Sequence, residues 1–538
     1  MDPLASVQGL ESRAGKRVAV ACLMQTKTFE KAVNSRVSSS RGLQVRLFLT
    51  CWLVYVLHFS PFVVKELFLA VSLAEKQSVH VDEFMDMHPD LFEIPGRGTY
   101  MGGNPGAAIL AAVPYGLMLP VVNRVAPVRP PRPGQAVPTL YKEDRPNRLN
   151  FYRKARERGL DVRLGLAATI TSIFFMGPLS ALSAVVMFHL LVHFGFAQKE
   201  SLWLTLLYAF ATPVFFRSAT LSPNLIVTLL GWFSFALLFW SPGDRPSNQR
   251  WRYLAAGFMA GWAVLTDYSG VVPVGVLGLF ALAQQKQTKP LWPAIKGSLW
   301  FFVGALGPIA FLLFYQWYCF GSPWLPSQYY MPEKYYRGYP SERGFGRPQP
   351  AALWGLLFDP LYGLLVFAPI CALALYHPIL VRRQQNRVPT RVTAFSWAFF
   401  AALWFFFSCV HYTLRHQWLE GIRYMVPAVP FLFLLLADVI VRMPRALAYL
   451  AAFAAVAETW CLAMVRENPM ESLTRVLLHG FELPWLTTLV KAAPQYVPVL
   501  AEGASPVALF LVWGVMIWGI WRLRDPWRPL HSESEKVS

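Results

Sequence analysis

Charged residues are scarce in this chain. They make up 15% of its 538 residues, against about 25% in an average soluble domain. Acidic residues are the scarcer sign, with 30 Asp and Glu against 49 Lys and Arg, for a formal net charge of +19. The six cysteines include no CxxC pair and most lie in or beside apolar runs, so we expect buried free thiols rather than disulfides or a zinc site.

Long apolar runs dominate what is present. The chain is 55% hydrophobic, with a mean hydropathy of +0.38. Backbone groups in lipid must be hydrogen-bonded internally, so continuous runs of this length predict helices. We therefore predict an all-α integral membrane protein with about twelve transmembrane helices. The predicted spans are 46–72, 106–122, 164–194, 202–218, 222–240, 253–283, 297–320, 352–380, 392–411, 424–441, 446–463 and 505–522.

Loops rich in Lys and Arg predict the orientation of these spans. The loops 123–163 and 381–391 and both termini are basic and fall on one side, which the positive-inside rule makes cytoplasmic. This placement in loops also argues against nucleic-acid binding. The loop 241–252 breaks the rule, unless the fourth and fifth spans are half-length with a break at 217–223.

This orientation gives the domain organisation. Residues 1–45 are predicted to be a cytoplasmic tail without a signal peptide, and 523–538 a second cytoplasmic tail. Between them we place a membrane core at 46–441 and C-terminal helices at 442–522, with an amphipathic segment on the outer side. The predicted outer loops of the core are 73–105, 321–351 and 411–423.

The loop 73–105 collects carboxylates in a chain that has few. Asp82, Glu83, Asp86, Asp90 and Glu93 fall within a dozen residues. Carboxylates beside a bilayer are costly unless they are solvated or paired, so they make a functional-site hypothesis. The alternative is a solvated connecting loop.

Two other outer loops carry cations and aromatic residues. Aromatic faces suit sugar rings or a polyprenyl chain, and Arg and Lys suit a phosphate. Arg423 enters a span and should face a polar cavity, where an anion is its natural partner. Interfacial belt aromatics, and pairing of Arg423 with Glu420 or a carbonyl, are the alternatives. The candidate residues are Lys334, Arg343, Arg347, His416, Arg423 and Tyr424.

Two motifs inside predicted spans have simpler explanations. Gly257 and Gly261 form a GxxxG pattern, which indicates close helix packing. His189 and His193 lie one helical turn apart, but no third metal ligand is evident.

The order of motifs resembles that of polytopic glycosyltransferases of the GT-C type that use lipid-linked sugars. This class includes protein O-mannosyltransferases, aminoarabinose transferases and a bacterial branch that is the nearest pattern. The branch has Asp-x-Tyr and a second Asp in its first outer loop. The matching residues here are Asp82, Phe84, Asp90, Gly98-Thr99-Tyr100, Pro105-Gly106, Tyr208 to Pro213, Leu265 to Tyr268, Phe320 to Pro323, Leu353 to Phe358 and Gly421 to Tyr424.

The resemblance implies a function. A sugar would pass, with inversion, from a polyprenyl-phosphate donor to an acceptor hydroxyl at the outer face of the bacterial plasma membrane. Asp82 would be the general base, with Glu83 as its rival, and Asp90 would orient the acceptor or the loop. Arg423 would hold the phosphate with Arg343, Arg347 or Lys334, and His416, Tyr424 and Tyr100 would also contact substrate. Three positions depart from the branch: Tyr424 for His, Asp267 for Glu and Asn224 for His.

The expected partners are this donor, membrane lipids and an acceptor that is a glycan, lipid or protein. No cofactor is required by the sequence, although Asp82, Asp86 and Asp90 would permit a divalent metal. Two other classes compete with the enzyme. A transporter or flippase for lipid-linked sugars would be expected to show internal repeats, and none is convincing. A membrane scaffold would have no need of the carboxylate cluster.

Overall fold

A computed structural model describes residues 41–128, 146–240, 246–331, 344–410, 421–492, 499 and 503–522. The described chain is mostly helical and has almost no strand, which confirms the all-α prediction. A single two-stranded antiparallel sheet occurs in this part of the chain, formed by β1 (Leu91–Ile94) and β2 (Gly98–Met101).

The helices follow one another with short connections. Before residue 240 they are α1 (Arg41–Leu57), α2 (Lys65–Lys76), α3 (Gly106–Val125), α4 (Pro146–Glu157), α5 (Asp161–Thr171), α6 (Gly177–His193), α7 (Gln198–Phe210), α8 (Pro213–Arg217) and α9 (Pro223–Phe239). A π-helical turn (Ser172–Met176) joins α5 to α6. The later helices are α10 (Pro246–Thr266), α11 (Val271–Lys286), α12 (Leu291–Phe320), α13 (Pro350–Phe358), α14 (Leu364–Phe367), α15 (His377–Arg382), α16 (Thr390–Ser408), α17 (Val429–Ile440), α18 (Arg445–Val465), α19 (Pro469–His479), α20 (Pro484–Ala492) and α21 (Val507–Arg522).

Six of these segments are long and apolar enough to cross a membrane, and several shorter apolar helices accompany them. The six are Gly106–Val125, Asp161–His193, Tyr268–Lys286, Leu291–Phe320, Thr390–Ser408 and Arg445–Val465. The chain is thus a multi-pass membrane protein with a helical bundle at its centre.

Polar contacts define two opposite ends of this bundle. At one end Arg387 pairs with Glu200 at 2.7 Å, and Arg442 pairs with the buried Asp438 at 3.0 Å. We call this the arginine end. Helix α9 ends at the arginine end, where Phe239 lies under Arg391. At its opposite end, Asn224 accepts a hydrogen bond from Arg423. We call this second end the site end.

Helix α3 starts and finishes at the site end, although the sequence predicted a span there. Its first residue, Gly106, packs against Leu265 at the end of α10. Its last turn is held by Arg163, which donates to the carbonyl of Ala126 at 3.1 Å. Ser172 donates to the carbonyl of Ala219, which lies just before α9 at the site end. Arg163 lies nine residues earlier in the same helix, so it is about 13 Å further from the arginine end than Ser172. Helix α3 therefore lies along the site end.

The basic segment that follows α3 also lies at the site end, so the prediction that it lies across the membrane from the acidic loop is wrong. Lys154 donates to the carbonyl of Asp86 at 2.9 Å, and Arg158 donates to the carbonyl of Glu83 at 2.6 Å. The acidic loop and part of the basic loop are thus neighbours. Two cations of the basic loop thus bind backbone carbonyls of the acidic loop, and counting charges in loops cannot detect a connection that crosses no membrane.

Two further predicted spans are interrupted. The span 46–72 breaks between Leu57 and Lys65 around Pro61, which lacks an amide hydrogen and restricts the residue before it. The span 253–283 is two helices that turn back at Asp267, whose Oδ1 accepts from the amide of Ser269 at 2.9 Å. The predicted break at 217–223 is present, because α8 ends before it and α9 begins after it. The two spans are not half-length as the sequence suggested, since α9 runs from Asn224 at the site end to Phe239 beside Arg391 at the arginine end.

The GxxxG pattern packs two helices closely, as predicted. A Cβ on Gly257 would lie 1.8 Å from the carbonyl oxygen of Phe301, and one on Gly261 would lie 2.5 Å from that of Ala305. Backbone contact this close between α10 and α12 is possible only without a side chain. This seam fixes the turn at Asp267 relative to the end of α12.

Candidate functional site

The hairpin of β1 and β2 holds Asp82 at the site end. The amide of Val81 donates to the carbonyl of Thr99 at 2.9 Å, and the amide of Thr99 donates back to Oδ1 of Asp82 at 2.7 Å. Burial opposes ionisation of this carboxyl, but hydrogen bonds from Thr99 and the nearby His80 outweigh it and hold the pKa of Asp82 below 3.8. Asp82 is exposed, so the carboxylate is fixed, ionised and accessible.

Glu83 points to a different partner. Lys76 donates to its Oε2 at 2.6 Å, and this lysine side chain is 53% exposed. An ion pair this exposed contributes little to stability. Glu83 is therefore paired with a lysine near the surface, and its backbone carbonyl accepts from Arg158, just after α4.

Asp90 is held by a cation from α2. Lys65 donates to its Oδ2 at 2.7 Å and to the carbonyl of Gly102 at 2.8 Å. The amide of Asp90 donates to Nδ1 of His88 at 3.0 Å, and burial lowers the pKa of His88. Asp90 thus fastens the loop to α2. Its role in orienting the acceptor or the loop stays a prediction.

Arg423 lies in a partly buried polar cluster. Its Nε donates to Oδ1 of Asn224 at 3.4 Å, and its guanidinium lies 5.5 Å from the ring centroid of Tyr424. The Tyr424 ring stacks in turn on Phe407, with centroids 4.3 Å apart. Arg423 interacts electrostatically with three carboxylates, those of Glu66, Asp90 and Asp267.

The sequence reasoning missed two members of this cluster. Lys65 and Glu66 stood inside the predicted span 46–72, where a charged pair in an apolar run is itself a signal of a functional site. Glu66 is 7% exposed and shares the electrostatic environment of Lys65 and Arg423. The cluster therefore combines two cations with three carboxylates.

Tyr100 is a buried connection between the hairpin and α12. It is 2% exposed, and its hydroxyl donates to the carbonyl of Arg97 at 3.0 Å. Arg97 donates to the carbonyl of Tyr318 at 2.9 Å. Burial is the largest of the influences that raise the pKa of Tyr100 to about 12, so its hydroxyl stays protonated near neutral pH.

The remaining predicted residues lie on the two other loops. Arg347 is exposed, beside Gly346, whose amide donates to the carbonyl of Cys409 at 2.8 Å at the end of α16. The cations Lys334 and Arg343, together with His416, lie outside the described residues.

Two groups of residues are possible metal sites by sequence: the acidic loop, and His189 with His193. Among the residues that the structure describes, no three His, Cys, Asp or Glu side chains are grouped so that they could hold a metal ion. His193 packs on Phe239 and His189 on Trp240, with ring centroids 5.3 and 6.2 Å apart.

Comparison with known proteins gives distant structural neighbours. No protein-family model and no curated protein matches the sequence. Two crystal structures of ArnT from Cupriavidus metallidurans are similar, one bound to undecaprenyl phosphate and one in the apo state. The first has a TM-score of 0.44 and 16% identity, and the second 0.43 and 14%; each comparison covers 89% of this chain and 74% of the other. ArnT is an aminoarabinose transferase.

Proposed function

We propose that this protein is a membrane glycosyltransferase of the GT-C type. It transfers a sugar from a polyprenyl-phosphate donor to an acceptor hydroxyl, with inversion at the anomeric carbon. The site end faces the outside of a bacterial plasma membrane, and both termini are cytoplasmic. The observation that carries this proposal is the fixed, exposed carboxylate of Asp82 in the same loop as Asp90, which pairs with Lys65 beside Arg423.

Asp82 is the general base of this reaction. A base must accept the hydroxyl proton while the oxygen attacks, so its carboxylate has to be ionised and accessible. Of the three carboxylates predicted for the site, Glu83 and Asp90 pair with lysines at 2.6 and 2.7 Å. Asp82 is held by a backbone amide, which fixes its orientation and leaves its charge uncompensated by a lysine contact.

Arg423 and Lys65 stabilise the leaving phosphate. Negative charge grows on the phosphate as the sugar–oxygen bond breaks, and cations placed there in advance lower the barrier. Arg423 is oriented by Asn224 and by the ring of Tyr424. A guanidinium oriented in this way can contact two phosphate oxygens at once. Arg347, Arg343, Lys334 and His416 remain predicted contributors from the neighbouring loops.

Lipid packing brings the donor to this site. The polyprenyl chain is apolar and stays in the bilayer, so the phosphate arrives at the level where the spans end. Helix α12 presents large apolar side chains outward on its site-end half, among them Phe314 (55% exposed) and Trp317 (54% exposed).

A transfer assay tests the proposal. Purified protein is incubated with radiolabelled polyprenyl-phosphate sugars and a membrane lipid extract as the acceptor source. Asp82→Asn keeps an oxygen that can accept from Thr99, so it should stay folded and lose about 100-fold or more in rate. Glu83→Gln is the matched control and should stay near wild type. Equal activity of wild type and Asp82→Asn would exclude Asp82 as the base. Absence of transfer by folded wild type from every donor would favour transport, tested next by a flipping assay.

A further inference from the structure

The side chains of His80 and Asp82 are neighbours, because both lie beside Gly98 at the start of β2. The hydroxyl of Ser72 on α2 donates to the carbonyl of His80 at 2.5 Å, and the amide of His80 donates to Oγ of Ser78 at 3.1 Å. The His80 ring lies 4.9 Å from the ring of Tyr100, measured between centroids. Its backbone and one ring face are therefore fixed.

Both polar side chains converge on Gly98. A Cβ at Gly98 would lie 2.6 Å from Nδ1 of His80 and 3.6 Å from Oδ1 of Asp82. Gly98 has φ +111°, which only glycine adopts readily. The hairpin thus needs glycine here both for its backbone conformation and to make room for the imidazole beside the carboxylate.

One nitrogen of the His80 ring, Nδ1, faces Gly98 and does not help to hold the fold. Nδ1 of His80 is buried and makes no hydrogen bond within the described part of the chain. Leaving a buried polar atom unsatisfied costs about 1–3 kcal/mol. Because this nitrogen makes no hydrogen bond with the fold and lies beside an exposed carboxylate, it is available to exchange a proton.

We propose that His80 is a positioning residue for Asp82, which takes up the proton that Asp82 removes from the acceptor hydroxyl. This inference rests on the proposed transferase function. The acceptor O–H bond breaks as its oxygen bonds to the anomeric carbon, and the sugar–phosphate bond breaks with its electron pair leaving on the phosphate. The proton moves to Asp82, then to His80, and then to water. No other reactant is required.

Charge relations around His80 decide how this depends on pH. The charged groups that act on Asp82 are His80 and Lys76 of α2. Tyr100, which packs on the His80 ring, is in turn influenced by Asp82 and Arg97 and by Tyr318 and Cys319 of α12. Tyr100 donates its proton to a carbonyl, so it does not compete for the imidazole. A protonated His80 has no capacity for a further proton and weakens Asp82 as a base through its positive charge. Transfer therefore requires the neutral ring.

The kinetic test compares His80→Gln and His80→Ala with wild type in the transfer assay. We expect kcat to fall by about 10- to 100-fold with KM unchanged, because the proton acceptor is lost and substrate contacts are not. The wild-type rate should rise with pH as the imidazole becomes neutral, and His80→Gln should remove this rise because its side chain does not titrate. Added imidazole should restore His80→Ala. Loss of activity with an unchanged pH profile and no rescue would show a structural role and overturn the proposal.

A second measurement is independent of turnover. Diethyl pyrocarbonate modifies neutral imidazoles, and the extent of modification at His80 is followed by mass spectrometry across the pH range. Asp82→Asn should shift the midpoint of this modification to lower pH, because a carboxylate that stabilises the imidazolium is gone. His479, on α19, is the internal control. An unshifted midpoint at His80 would overturn the pairing with Asp82. Transfer that is absent in wild type would instead refute the proposed function.

Discussion

The ammonium group of Lys65 donates to both Oδ2 of Asp90, at 2.7 Å, and the carbonyl of Gly102, at 2.8 Å. One side chain at the start of α2 thereby holds the loop at two points, just before and just after the hairpin of β1 and β2. The two side chains of the ion pair are 23% and 29% exposed, so water screens the pair only partly. The position of the candidate base therefore depends on a contact outside its own loop.

Breaking this pair should destabilise the loop. Lys65→Met and Asp90→Asn each leave a partner unpaired, and each should lower the free energy of unfolding by about 1–3 kcal/mol. The double variant should cost less than the sum, because neither charge then remains alone. Thermal unfolding of the detergent-solubilised protein measures all three variants. Additive losses would contradict direct coupling of Lys65 and Asp90.

The sequence predicted much of the site because rare residues mark it. Carboxylates in a basic chain and an arginine at the start of a span identified Asp82, Asp90 and Arg423, and the structure places Asp90 and Arg423 in one electrostatic cluster. Lys65 and Glu66 were missed because apolar neighbours absorbed them into a predicted span. Hydropathy averaged over a window of residues does not show the helix break at Pro61.

Two errors in the predicted topology cancel. Helix α3 is as apolar as a crossing helix, so composition cannot show that both of its ends are at the site end. The turn at Asp267 is short and flanked by apolar residues, so two helices were counted as one span. The sequence counted one span too many at α3 and one too few at α10 and α11. The two errors compensate, so the loops after α11 lie on the predicted sides. The exception at 241–252 disappears, because α10 then begins at the arginine end.

Gly98 should be intolerant of substitution for a specific reason. Gly98→Ala introduces both a strained φ and a Cβ that collides with His80. Gly96→Ala is the matched control, since Gly96 has φ +73° in the same turn but open space around it. Both variants should lose about 1–3 kcal/mol from backbone strain, and only Gly98→Ala should also lose transfer activity. Equal activity in the two variants would show that His80 and Asp82 do not need this close approach.

The glycine seam between α10 and α12 should be essential for stability. Gly257→Ala places a methyl group 1.8 Å from the carbonyl oxygen of Phe301, so the two helices must separate. Gly275→Ala on α11 is the control, because nothing lies within 4 Å of its Cβ position. Thermal unfolding should show a large loss for Gly257→Ala and none for Gly275→Ala. Equal midpoints would contradict the close packing.

The position of the basic segment is testable by labelling in intact cells. Glu157 and Asp86 are exposed at the site end, and Lys286 is exposed at the arginine end. Single cysteines are introduced at the three positions and treated with a membrane-impermeant maleimide. Cysteines at 157 and 86 should label together, and cysteine 286 only after lysis. Labelling of 157 with 286 would restore the topology predicted from charge alone and contradict the contacts of α4.

Arg423 should act on the donor phosphate and not only on its protein neighbours. Arg423→Ala should lower kcat/KM by about 100- to 1000-fold, the usual effect of removing one stabilising donor. Arg423→Lys keeps the charge but loses the planar fork, so it should recover only part of this loss. Arg250→Ala, an exposed arginine that lies 5.7 Å from the Trp300 ring centroid, is the control and should change little. If Arg423 served only to hold Asn224, then Asn224→Ala would reproduce the full loss. We expect Asn224→Ala to lose less activity than Arg423→Ala. The hydrogen bond between Arg423 and Asn224 is 3.4 Å long, and the ring of Tyr424 supports the guanidinium independently.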